Sequence, residues 1–151
     1  MRWLILLVFT LLTGCAGMTS LESRSAEVSS ADRQPLVLVF QKYRGAPYIY
    51  GGTDARGFDC SGFIQLALQE AYGLSVPRTT DALARTGTAV RRDQLRIGDL
   101  VFFYTGVKQL HAGIYSNKGR FIHASTSKGV MESNLDNPYW QRRYFQARRL
   151  L

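Results

Sequence analysis

Seven residues, Gly57-Phe58-Asp59-Cys60-Ser61-Gly62-Phe63, constrain the fold of this chain more than any others. A cysteine stands where a turn gives way to the apolar run Phe63-Ile64-Gln65-Leu66-Ala67-Leu68. Within it Ile64, Ala67, Leu68 and Ala71 recur at helical spacing. Asp59 is a favoured N-cap residue, so the pattern predicts a helix that begins at or just before Cys60. That helix needs a surface on which to bury its stripe. It also holds a thiol in its first turn, where the positive end of the helix dipole favours thiolate, the nucleophilic form. The stretch by itself leaves two readings open: a nucleophile, or a small buried hydrophobe, the usual fate of an unpaired cysteine.

The rest of the chain supplies the surface. A short helix is expected over Leu36 to Tyr43, opened by Pro35 and ended by Gly45. The Gly-bounded segment Gly45 to Gly52 should run extended into the cysteine turn. Beyond the central helix, Val76-Pro77-Arg78-Thr79-Thr80 makes a turn, with Thr79 or Thr80 capping a short helix over Asp81 to Arg85. The period then changes. Asp99 to Tyr104, His111 to Tyr115, Arg120 to Ala124 and Gln146 to Leu150 read as strands, punctuated by Gly106, Asn117-Lys118-Gly119 and Lys128-Gly129. Helices first and an antiparallel sheet after them make an α+β layout. At 151 residues, 46% hydrophobic and 20% charged, the composition suits one globular domain and excludes a low-complexity or disordered chain.

The N-terminus has a different character. Trp3 to Leu12 is an apolar run after Arg2, too short to span a bilayer and suited to the core of a signal peptide. It ends in Leu12-Thr13-Gly14-Cys15, which resembles the bacterial lipobox, in which the cysteine is lipidated and becomes the first mature residue. An ordinary signal peptide cut near Ala16 is the competing reading. Ala16, where Asp is absent, resembles the pattern sent on to the outer membrane of Gram-negative bacteria. The expectation is therefore a signal peptide over 1–14 and a lipid-anchored Cys15 on the periplasmic face of the outer membrane. A flexible tether follows through Gln34, and a domain spans 35–151. The 19 residues from Ala16 to Gln34, rich in Ser, Ala and charge, would reach roughly 24 Å r.m.s. and about 65 Å fully stretched. Loss of 1–14 removes only Arg2, leaving 18 basic against 11 acidic residues, or +7. Such a charge suits a polyanionic partner, but it is concentrated in pairs such as Arg91-Arg92 and Arg142-Arg143 that also fit a solvated face.

Two observations bear on the thiol. If a lipid occupies the Cys15 sulfur, Cys60 has no partner in an oxidising compartment, where a lone thiol is a liability unless buried or used. The chain also has just two histidines, His111 and His123, each on a predicted strand and flanking Asn117-Lys118-Gly119. Both numbers are odd, so the two share a sheet face only if the connecting loop has an odd number of residues. A three-residue Asn-Lys-Gly loop with Gly119 left-handed meets that condition. Two imidazoles on one face can act in series, one accepting a proton from a thiol and the other orienting the first. A zinc site of Cys60, His111 and His123 has the ligand count for catalysis but lacks a short ligand pair such as His-x-x-x-His.

These residues, together with Tyr48-x-Tyr50-Gly51-Gly52, Pro77-Arg78-Thr79, Gly98-Asp99-Leu100-Val101, His111-Ala112-Gly113-Ile114-Tyr115 and Phe121-Ile122-His123-Ala124-Ser125, stand in one order. In that order the chain resembles the NlpC-type cell-wall peptidases, papain-like cysteine hydrolases of bacteria, and among them the NlpC-like lipoproteins. The resemblance runs from Gly45 to the C-terminus. It implies a papain-like α+β fold with the nucleophile helix packed on an antiparallel sheet. Cys60 would be the nucleophile, His111 the general base and then acid, and His123 the residue that orients it. Tyr48, with the Cys60 backbone N–H, would be the oxyanion donor. Asp59 and Ser61 would flank the nucleophile and touch substrate, although capping accounts for Asp59 equally well. Arg78 would meet a substrate carboxylate or lie on the surface, and Asp99 reads as a turn residue. The implied substrate is the stem peptides or cross-links of peptidoglycan, with no cofactor or metal, no nucleic acid partner and a monomeric enzyme. Two other readings remain: an acyltransferase or amidase using the same thiol–imidazole pair, and a lipoprotein that binds cell wall without turnover.

Overall fold

The computed structural model describes residues 35–151, so the signal segment, Cys15 and the tether lie outside the described residues. Helix α1 covers residues 35–43 and buries Leu36, Val39 and Tyr43 along one stripe. A small hairpin, β1 (Thr53–Asp54) and β2 (Gly57–Phe58), leads into α2 (Cys60–Tyr72). Phe63, Ile64, Ala67 and Leu68 of α2 are fully buried, and Ala71 packs against the same core from a partly buried position. Complete burial of a side chain such as Phe63 or Leu68 is worth about 1.5–3 kcal/mol, which seats the helix. Gly73, left-handed at φ 66°, ends it. The next helix, α3 (Thr80–Leu83), is capped by Thr79, ends two residues before the expected Arg85, and is pinned by the buried Leu83.

Six strands follow: β3 (Thr88–Val90), β4 (Leu100–Gly106), β5 (Gln109–Asn117), β6 (Arg120–Ser125), β7 (Gly129–Asn134) and β8 (Tyr144–Arg149). They form one antiparallel sheet in the order β3-β8-β4-β5-β6-β7. Between β7 and β8 lies α4 (Pro138–Gln141). Alternation along β4 explains the sheet's place in the molecule. Leu100 and Phe102 join the α1 and α2 core, while Val101 and Phe103 join a second cluster with Phe121, Leu135, Ala147 and Trp140. The sheet is thus buried on both faces near its centre. Asp99, expected at a turn, is 2% exposed and accepts from Arg149 Nε (2.8 Å), Arg149 Nη2 (2.7 Å) and the Arg96 N–H (2.7 Å), tying β8 to the start of β4.

The hairpin between the histidines reaches the expected parity by another route. Asn117 pairs with Arg120, so the loop is Lys118-Gly119 alone, at φ 47° and 73°. Tyr115 pairs with Phe121, however, which leaves Ser116 as one extra residue in β5, a β-bulge. The bulge does what the three-residue loop was expected to do. Ser116 is held inside by a 2.6 Å hydrogen bond to Glu132 Oε1.

Candidate active site

Asp59 caps α2 as expected, its Oδ1 accepting from Gly62 N–H at 2.7 Å. The same carboxylate accepts from Gly51 N–H (3.0 Å) and, bidentately, from Arg78 (2.6 and 2.9 Å). Arg78 also donates to Ser61 Oγ at 2.8 Å. This buckle joins the turn before the hairpin, the first turn of α2 and the segment before α3, and it fixes where Cys60 starts. Burial would raise the Asp59 pKa, but Arg78 and the Gly62 and Gly51 N–H groups outweigh it and hold the carboxyl below its usual range. Gly62 permits the approach, since a Cβ there would lie 2.1 Å from the Gly52 carbonyl oxygen.

Cys60 is unpaired and 8% exposed, and its Sγ lies 3.3 Å from Thr80 Oγ1. It opens onto a cleft of about 460 Å³ that is also lined by Tyr48, His111, His123 and Trp140. The cysteine arrives on the helix and the histidines on β5 and β6, on the sheet face that carries Phe103 and Phe121 and against which Trp140 of α4 packs. His111 Nε2 and His123 Nδ1 are 2.8 Å apart, and His123 Nε2 is 2.9 Å from Ser133 Oγ. Gly113 leaves the space for this contact, since a Cβ on it would meet Phe121 Cδ2 at 2.6 Å and His123 Cβ at 3.2 Å. Trp140 stacks on His111 (5.5 Å, 25°) and stands edge-on to His123 (5.0 Å, 79°). Both rings are buried, and burial pushes His111 down to about 4. Burial and then the neighbouring His111 push His123 down to about 3. At neutral pH both are therefore uncharged. They spend their facing nitrogens on each other, and among the described residues no group of three His, Cys, Asp or Glu is arranged to hold a metal.

Tyr48 is set beside the nucleophile by a parallel bridge to Phe58, two residues before Cys60. Burial, then the nearby Cys60 and Asp59, raise its pKa, so the phenol keeps its proton and can donate. The Cys60 N–H, at the first position of α2, has no acceptor one turn earlier in its own helix. An acyl oxygen in the cleft could take a hydrogen bond from each. Asp59 and Ser61 are not among the residues that line the cleft, and their side chains bond to Arg78. Sequence reasoning missed Thr80, Ser133 and Trp140. Thr80 carried a signal only as a possible cap, and the other two carried none until β7 and α4 were placed. Among the described residues, the cleft walls contain no Asp, Glu, Lys or Arg; hydroxyl and amide groups of Thr105, Gln109 and Ser125 to Ser127 line it instead.

Comparison with known proteins places this geometry. The NlpC/P60 family model matches residues 45–149. The chain is 53% identical over 112 residues to the probable endopeptidase NlpC of Escherichia coli K12, covering 73% of each chain. It is 45% identical over 112 residues to the murein DD-endopeptidase MepS/murein LD-carboxypeptidase of the same strain, covering 74% of this chain and 60% of that one. A crystal structure of an NlpC/P60 family protein from Bacillus cereus superposes with a TM-score of 0.71 at 33% identity, over 79% of this chain and 40% of that chain. The chain thus spans less than two thirds of the last two. Its helices packed on an antiparallel sheet have the papain-like α+β arrangement of that neighbour, and the match runs from the turn before Tyr48 to the end of the last strand: the chain belongs to the NlpC/P60 family.

Proposed function

We propose that this protein is a thiol endopeptidase of bacterial peptidoglycan, held by a lipid on Cys15 to the outer membrane, facing the periplasm. The observation that carries the hydrolase reading is the cleft onto which Cys60 opens beside two imidazoles in hydrogen-bonded series. In this reading His111 takes the thiol proton through Nδ1, since Nε2 is engaged with His123. The thiolate adds to the scissile carbonyl, and the Tyr48 hydroxyl and Cys60 N–H hold the oxyanion. His111 returns the proton to the departing amine, which leaves a thioester on Cys60. Water, deprotonated by His111, then releases the acid and restores the thiol. The uncharged cleft suits a peptide bound by its backbone amides, and the names of the relatives supply the substrate class, murein. The Leu12-Thr13-Gly14-Cys15 sequence supports the anchor.

Purified mature protein should release new muropeptides with free carboxyl ends from sacculi, read by mass spectrometry, and Cys60→Ala should not. Identical product patterns from the two proteins would remove the hydrolase assignment. Products in which an acyl group has moved to an added amine, without hydrolysis, would favour the acyltransferase reading.

A further inference from the structure

Two imidazoles bonded to each other fix only the relative place of a proton. Across the 2.8 Å contact either His111 Nε2 or His123 Nδ1 can be the donor. If His111 donates, its Nδ1 is bare and can take a proton from Cys60. If His123 donates, the His111 proton sits on Nδ1 and the base is blocked. His111 and His123 cannot settle this between themselves.

The far side of His123 settles it where Ser133 accepts rather than donates. A neutral imidazole carries one N–H, so a proton on Nε2 leaves Nδ1 bare to accept from His111. Nε2 lies 2.9 Å from Ser133 Oγ on β7, and His123 is 1% exposed, so that nitrogen needs a protein partner. The decisive state comes after proton transfer. His111 then carries N–H on both nitrogens, His123 must accept at Nδ1 and hold its own proton on Nε2, and only an acceptor at Ser133 satisfies it. We infer that Ser133 is a positioning residue that holds both histidines in the tautomer the reaction needs. Its bond to His123 is compulsory only once charge is on His111, so its loss should fall on kcat rather than KM. Trp140 packs against both rings, stacked on His111 and edge-on to His123.

The inference builds on the hydrolase reading, but its first test needs no substrate. With just two histidines in the chain, 15N-histidine labelling gives a two-ring spectrum. At neutral pH both rings should show the Nε2–H tautomer in long-range proton–nitrogen correlations. In Ser133→Ala the His123 nitrogens should move toward a mixture of tautomers. With soluble muropeptides as the probe, kcat should drop about tenfold or more while KM stays within about twofold. Ser133→Thr keeps a hydroxyl on a strand that accepts β-branched residues, and should restore the tautomer and most of kcat. A wild-type His123 protonated at Nδ1, or a Ser133→Ala protein with unaltered tautomers and kcat, overturns the inference. A wild-type protein with the expected tautomers and no turnover would instead overturn the hydrolase reading and leave this one standing.

Discussion

Acid should loosen this fold over a range set by its two histidines. Burial holds His111 down to about 4, and burial with the adjacent His111 holds His123 down to about 3. In the unfolded chain both rings titrate near 6.5. Between about 6.5 and 4 the unfolded chain therefore binds protons that the folded chain refuses. The sign follows: the contribution is intact above 6.5, is lost as pH falls through that window, and levels off once the folded rings take up protons. Each ring contributes about 1.4 kcal/mol per pH unit well inside the window, so the pair should cost about 3 kcal/mol between pH about 8 and about 5.5. That is a large share of the roughly 5–15 kcal/mol that holds a typical domain together. Stopping near pH 5.5 keeps Asp59, held below the usual carboxylate range, out of the measurement. Urea unfolding followed by circular dichroism at the two pH values should show the loss in wild type. Most of it should be absent when His111→Gln and His123→Gln are combined. A double variant that loses as much stability on acidification as wild type would refute the reasoning, because the acid sensitivity would then reside elsewhere.

Tyr48→Phe should lower kcat by about 10²–10³ without moving the unfolding midpoint, the cost of one oxyanion donor; a kcat within about threefold of wild type would take Tyr48 out of the chemistry. Thr80→Val removes the hydroxyl 3.3 Å from Cys60 Sγ. Iodoacetamide should then alkylate Cys60 at neutral pH roughly tenfold more slowly, the scale of a hydrogen bond to a charged group, while Thr80→Ser should behave as wild type. Equal rates in all three proteins would reduce the contact to packing. Cys15→Ser, produced in a Gram-negative host, should lose incorporated palmitate and leave the membrane fraction; a variant that stays there by the same criteria would dispose of the proposed anchor.

How much of this was readable beforehand depended on whether the information was local. Asp59, Cys60 and the Ile64-Ala67-Leu68 stripe lie within one stretch of chain, and the cap and helix came out as that stretch implied. The strands containing Phe102, His111 and His123 announced themselves by apolar, β-branched and aromatic content between glycines. The hairpin between the histidines was right in outcome and wrong in construction. Bulging of Ser116 is decided by its bond to Glu132 on a strand not yet recognised, and parity arguments cannot see it. Strand β7, Gly-Val-Met-Glu-Ser-Asn, has too little alternation to stand out, and Pro138-Tyr139-Trp140-Gln141 is a single turn. Ser133 and Trp140 belong to those two segments, so the outer half of the site was hidden with them. The Arg78 buckle was hidden differently, since the residue was in view but its partner, 19 positions earlier, was not.

The indole that leans on His111 has an optical consequence. Besides Trp3, Trp140 is the chain's one tryptophan, so the indole emission of residues 35–151 originates beside the imidazole pair. A charged imidazolium quenches indole light more than a neutral ring does. Proton arrival on His111, or a peptide pressed against that indole, would register as a change in brightness or colour without any label attached. The molecule thus carries its own indicator, mounted where the events of interest take place.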